Sequence, residues 1–182
     1  MKSSILTFSG KSFDVLDPSP EMIDLEDIAS ALSKLCRFGG HAQQFYSVAE
    51  HCTLASRMAE KISPSDRVLM AWALMHDASE AYLVDLPRPI KGQLPDYVRL
   101  EDSIQQAISK RFDLPWPMPD EVHQIDGDML AFELRKYMNV RKGHRFEIKP
   151  SSKGIDLLPE SASSHALARS DFMARASLLG LK

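Results

Sequence analysis

Cysteine is scarce: Cys36 and Cys52 are the only two in 182 residues, too few for a disulfide framework. The first residues contain no apolar run of the kind a secretion signal needs, so the chain reads as a reduced, cytoplasmic protein. Long hydrophobic runs are also missing. Charges interrupt every apolar stretch well short of the roughly 20 residues a membrane-spanning helix requires, and no membrane segment is expected. Positive charge is not in excess either. Twenty-two Lys and Arg face 25 Asp and Glu, for a formal net charge of -3, and such a chain offers no basic field to hold polymeric nucleic acid by its phosphates. A small anion could still bind through a cation and a few placed side chains. There is no internal repeat and no low-complexity tract. What remains is 44% hydrophobic and 26% charged, the ordinary composition of one globular domain spanning residues 1–182.

Periodicity makes that domain mostly α-helical. Residues Ile5 to Val15 alternate around Ser9-Gly10-Lys11 and predict a short N-terminal β-hairpin. Helical spacing of Ile28, Ala31, Leu32 and Leu35 predicts a helix within 24–35, stopped by Gly39-Gly40. Ser47 is placed to cap a helix whose Val48, His51, Ala55, Met58 and Ile62 form one inward stripe. The Ser63-Pro64-Ser65-Asp66 run has the residues of a helix start, and the nearly all-apolar stretch from Val68 to Met75 predicts a central helix continuing to about Tyr82. Pro87, Pro89 and Gly92 break the pattern. A further helix follows with Tyr97, Leu100, Ile104, Ala107, Ile108 and Phe112 on its inner side, and Pro115, Pro117 and Pro119 end it. Val122, Ile125, Met129, Phe132 and Lys136 predict the next helix, to about Tyr137. Residues 141–158 read as a loop with a short strand at Phe146 to Ile148, and 161–179 as a terminal helix.

Set on this frame, the ionisable residues at the end of the apolar helix stand out. His76, Asp77 and Glu80 lie in or just after a hydrophobic segment, where charge is costly unless paired or coordinated. Adjacent residues on a helix point about 100° apart, so His76 and Asp77 reach one ion only over the groove between them or at a distorted helix end. Other helices would have to complete the set. His51, on its inward stripe, and a carboxylate flanking the helix after Pro119, Asp126 or Asp128, would make a shell of two imidazoles and two carboxylates suited to a divalent cation. Such a cation polarises phosphoryl oxygens and acidifies water, the equipment for breaking phosphate esters. Glu80, one turn beyond His76, is a candidate general acid or base, with Asp85 a second. Arg37 and Phe38, before a flexible Gly39-Gly40 pair, could grip phosphate and stack on a base, and Lys91 could reach a more distal phosphate. Taken singly these residues have plainer roles: a lone histidine is commonly a satisfied core residue, and Cys52 reads as a small buried apolar residue more readily than as a zinc ligand.

Three stretches, Tyr46-Ser47-Val48-Ala49-Glu50-His51, His76-Asp77-Ala78-Ser79-Glu80-Ala81-Tyr82 and Asp85-Leu86-Pro87-Arg88-Pro89-Ile90-Lys91, make the chain resemble the HD-domain metal-dependent phosphohydrolases. The run from Asp77 through Lys91 is similar to the 5'-deoxynucleotidase branch, which implies active-site roles for Glu80 and Asp85 and a substrate-holding role for Arg37 and Phe38. Small phage-type members, some of them dATP triphosphohydrolases, resemble nearly the whole chain. Their Ala-Asp-x-x-Met-Leu-Ala-x-Glu pattern falls on Ile125-Asp126-Gly127-Asp128-Met129-Leu130-Ala131-Phe132-Glu133 and implies Asp126 as fourth ligand beside His51, His76 and Asp77, with Asp128 the neighbouring alternative.

The resemblance implies an HD-type helical bundle that hydrolyses 2'-deoxynucleotides, with dATP giving deoxyadenosine and triphosphate as the leading reaction. It also implies a homo-oligomer, in a host cytoplasm if phage-encoded. The metal is open among Zn, Co, Mn, Fe, Ni and Mg. A 5'-deoxynucleotidase acting on monophosphates is the alternative enzyme, and a catalytically silent nucleotide sensor is the alternative class.

Overall fold

A computed structural model describes residues 3–138, 140, 141, 143–151 and 157–182. Strands β1 (Ser4–Leu6) and β2 (Ser12–Asp14) pair antiparallel with Ile5 opposite Phe13. Gly10, at φ 82°, takes the left-handed conformation of the connecting turn, which glycine adopts without steric cost. Of this hairpin only Phe13 is deeply buried, stacked on Tyr82 at 3.9 Å between ring centroids.

The rest is helical: α1 (Leu25–Leu32), α2 (Val48–Ile62), α3 (Arg67–Met75), α4 (Glu80–Leu83), α5 (Arg88–Lys91), α6 (Pro95–Arg111), α7 (Asp120–Lys136) and α8 (His165–Leu179). Their starts follow from capping chemistry. Asp24, Ser47, Asp66 and Ser164 each accept a backbone N–H of the first turn, satisfying donors that a helix start leaves without partners. At α3 the cap is Asp66, with its carboxylate on Leu69 N, and not Ser63, which ends α2 instead.

Helices α2 and α3 pack along each other and are enclosed on both sides. On one side Val48 and Cys52 of α2 and Leu74 and Met75 of α3 join Ile28, Leu32, Ile104, Ile108 and Phe172. On the other, Met58 and Trp72 join Val122, Ile125, Met129, Phe132 and Tyr137. Each large side chain so buried contributes about 1.5–3 kcal/mol. Trp72 is fully enclosed, its indole N–H donates to Pro115 O at 2.9 Å, and its ring lies 6.0 Å from that of Trp116. Arg175 ties α8 to α2 by donating to Ser56 Oγ and to Glu60.

The helix expected to run unbroken to about Tyr82 ends at Met75. Residues 76–79 wind more tightly, with Ala78 N on Met75 O and Glu80 N on Asp77 O, both at 3.0 Å. The cause is a buried side chain on α6. Gln105 donates to Met75 O at 2.7 Å and accepts from Ser79 N at 3.2 Å, supplying the partners an uninterrupted helix would have supplied itself. Two smaller expectations also change. Ile62, on the last turn of α2, is exposed rather than inward. Residues 146–148 form no strand; the N-terminal hairpin is the one sheet among the described residues and pairs only β1 with β2.

Replacing Gln105 by leucine leaves the buried Ser79 N–H without a partner and Met75 O with Ala78 N alone. The orphan costs about 1–3 kcal/mol. The Gln105→Leu urea midpoint should fall accordingly with an unchanged slope, and an unaltered midpoint would remove Gln105 as the cause of the break.

Candidate metal centre

Three helices bring the predicted ligands together. His51 sits in the first turn of α2, wholly buried, while His76 and Asp77 occupy the tightened segment after α3 and are partly open to solvent. On that segment the two side chains reach toward one point, Asp77 Oδ2 lying 3.3 Å from His76 Nε2. One ligand atom from each of His51, His76 and Asp77 lies within 4.8 Å of the others, and the three could hold a metal ion. Asp126, midway along α7, adjoins them: its Oδ1 is 3.3 Å from His51 Nε2 and 3.9 Å from His76 Nε2. Asp128 does not take part, since its carboxylate accepts from Ser151 N and Oγ.

Hydrogen bonds on the far side of each ring decide which atoms face the centre. His76 Nδ1 is 2.9 Å from Ala73 O, and a carbonyl only accepts, so Nδ1 carries the hydrogen. His51 Nδ1 is 2.5 Å from Glu133 Oε1. Burial would raise that carboxyl, but the Arg37 charge, then the His51 charge and hydrogen bonds from His51 and Tyr46, hold it down at about 2. As a carboxylate it too only accepts. Both Nε2 atoms therefore present lone pairs when the rings are neutral, yet they stand 3.2 Å apart. Asp77 Oδ2 is 3.3 Å from His76 Nε2 and 3.8 Å from His51 Nε2. Acceptors gathered this closely require positive charge among them.

A divalent cation fits this donor set, hard carboxylate oxygens mixed with imidazole nitrogens. Protons are the competing source of charge. Burial disfavours the charged form of both rings; Asp77 nonetheless raises His76 well above the ordinary histidine value, and Glu133 and Asp126 raise His51 against burial and Arg37. Asp77 and Asp126 are themselves held far below the usual carboxylate range, chiefly by the histidines overcoming burial.

The remaining predicted residues surround the cluster. Glu80 is buried, 3.9 Å from Lys91 Nζ, and its Oε2 has no hydrogen-bond partner among the described residues. Burial first, then the charges of Asp77 and Asp85, raise its pKa well above the ordinary value. Asp85 follows Val84, whose φ of 116° is rare for a β-branched residue, and burial raises its pKa as well. Arg37 faces inward: it donates to Glu133 Oε2 at 2.9 Å and to Asp77 Oδ2 at 3.5 Å, with Phe38 beneath its guanidinium at 5.5 Å. Phe38 itself packs partly buried against the second core cluster. Lys91 pairs with Glu101 at 2.6 Å. A cavity of about 240 Å³ beside Glu50, Thr53 and Ser163 includes none of the predicted residues.

Two residues carry weight that sequence reading did not assign. Glu133 links His51, Tyr46 and Arg37. Its seven-residue spacing from Asp126 puts both acids on one face of α7, a readable signal. Arg88, 70% exposed, donates to Asp126 Oδ2 from α5, and no spacing rule announces that contact.

The fold and this cluster define a mostly α-helical protein with a part-buried His/Asp group able to hold a metal ion. No protein-family model matches the chain. It is 44% identical over 133 residues to Uncharacterized protein YfdR of Escherichia coli strain K12, an alignment covering 73% of this chain and 71% of that protein. The chain belongs to the YfdR family. It is also 39% identical over 116 residues to Uncharacterized protein RCAP_rcc00048 of Rhodobacter capsulatus, covering 61% of this chain and 59% of that one. No helix among the described residues is long and apolar enough to cross a membrane.

Raised histidine pKa values mean that protons occupy the site as pH falls and must leave when a cation enters. Zinc affinity, measured against a competing chelator, should therefore rise with pH and release about one to two protons per ion. Affinity that is flat from pH 6 to pH 8 would contradict the assignment of both rings as ligands.

Proposed function

We propose that the chain is a metal-dependent phosphohydrolase of the HD-domain type acting on 2'-deoxynucleotides, with dATP converted to deoxyadenosine and triphosphate. One observation carries the reading: two imidazole Nε2 atoms 3.2 Å apart, both turned lone-pair first toward two carboxylates. His51, His76, Asp77 and Asp126 would hold the ion. When bound, a divalent cation supplies polarisation of a phosphoryl oxygen and acidification of water.

The chain's own residues supply the rest. In the reaction the oxygen of water bonds to the α-phosphorus and the bond from that phosphorus to the 5'-oxygen breaks. The leaving 5'-oxygen needs a proton. Glu80, buried and shifted toward its protonated form by burial and by Asp77 and Asp85, is placed to donate it, and Asp85 stands next in line. Arg88 is the most exposed of the nearby cations and Lys91 lies one turn further along α5, so a polyphosphate tail meets positive charge there. Arg37 holds Asp77 from beneath, and with Phe38 it bounds the side where the nucleoside would sit.

Purified protein incubated with each deoxynucleotide and ribonucleotide, at every phosphate level and with Mn, Co, Zn or Mg, should turn over dATP and release inorganic triphosphate. Release of orthophosphate from dAMP would instead make it a 5'-deoxynucleotidase, and tight nucleotide binding without product would make it a sensor. His76→Ala and Asp77→Ala should lose both metal and turnover. Glu80→Ala should keep metal while slowing turnover by about 10²- to 10⁴-fold; an unchanged rate moves the proton donor to Asp85.

A further inference from the structure

Glu133 is the most enclosed carboxylate near the cluster, with no solvent exposure at all, and every partner it has belongs to the site or touches it. Oε1 accepts from His51 Nδ1 at 2.5 Å and from Tyr46 Oη at 2.9 Å. Oε2 accepts from Arg37 at 2.9 Å, and the same guanidinium reaches Asp77 Oδ2 at 3.5 Å. One side chain is thus joined to an imidazole on α2 and, through one arginine, to a carboxylate after α3.

We propose that Glu133 is the positioning residue of the metal centre, orienting His51 directly and Asp77 through Arg37. This rests on the reading of His51, His76, Asp77 and Asp126 as metal ligands. The geometry states how it acts. A hydrogen bond to Nδ1 fixes the ring plane and leaves Nε2 free of hydrogen toward the ion. Rotating the His51 ring to present Nδ1 instead would break that bond between two fully buried side chains. Arg37 is itself held, because a buried guanidinium without an acid opposite is strongly unfavourable, so the direction of Asp77 also follows from where Glu133 sits. Tyr46, fully buried and 4.7 Å from the ring of Tyr137, keeps the carboxylate from rotating away.

A plainer role, counterion to Arg37 and nothing more, predicts a different result from one particular variant. Glu133→Asp keeps the negative charge opposite Arg37 but withdraws it from His51 by one methylene. As a mere counterion it would bind metal like the wild type.

The test is Zn²⁺ affinity by chelator competition, together with the visible absorption of Co²⁺-loaded protein, on wild type, Glu133→Asp, Glu133→Gln and Tyr46→Phe, with folding checked by circular dichroism. Positioning predicts that both Glu133 variants lose about 10- to 100-fold in Zn²⁺ affinity and shift the Co²⁺ bands, while Tyr46→Phe, which keeps the His51 contact, loses less. Folded Glu133→Asp with wild-type affinity and spectrum overturns the inference alone, whether or not Glu133→Gln folds. A wild-type protein that binds neither Zn²⁺ nor Co²⁺ overturns the metal-site reading beneath it.

Discussion

The structure turns on a buried charge that has to be answered. Glu133 lies where no water reaches, and Arg37, His51 and Tyr46 converge on it because an ionised carboxylate in that position is tolerable only with donors on both oxygens. Those donors come from the segment before α2 and from the first turn of α2 itself, while the acid is on α7. The polar contact therefore ties α7 to the start of α2 and to the segment before it. Buried ion pairs of this kind often add little net stability compared with well-packed hydrocarbon. What this one contributes is placement: it orders the floor over which His76 and Asp77 close.

The second constraint is the tightened segment after α3. On a regular helix, neighbours diverge by about 100°, and His76 and Asp77 would have faced different surroundings. The tightened turn does not remove that divergence; the two residues meet because Asp77 Oδ2 reaches to 3.3 Å from His76 Nε2, while Gln105, on a different helix, occupies the carbonyl of Met75 and the N–H of Ser79. A side chain on α6 with no place in the cluster thereby holds the segment that carries His76 and Asp77. The apolar helix matters for a related reason, since Leu69 to Met75 are enclosed on both sides, and their burial fixes where the break occurs.

Sequence periodicity made the helices legible because each buries a stripe, and the stripes of α6, α7 and, up to Met58, α2 lie where spacing put them. The ionisable residues set on that frame were His51, His76 and Asp77, with Asp126 or Asp128; the resemblance selected Asp126, which adjoins the other three in space. The losses have physical reasons. No proline or glycine marks the break at His76, whose cause lies about thirty residues away in Gln105. The alternation at 146–148 lacked a partner strand. Asp126 and Asp128 are indistinguishable by spacing, and in the structure the Ser151 contacts that engage Asp128 separate them. Partner choice among the cations was equally hidden, since nothing local says that Arg37 turns inward to Glu133 while Arg88 stays in solvent over Asp126.

Both indole rings of the chain, Trp72 and Trp116, meet where α3 touches the proline-rich connector ahead of α7. Intrinsic fluorescence is consequently a local gauge. Excitation at the red edge of the protein band reports how tightly that connector lies against the central helix, and is blind to the hairpin and to the outer side of α8. Because α3 leads directly into the histidine segment, a label-free optical signal is built in about one helical turn from His76.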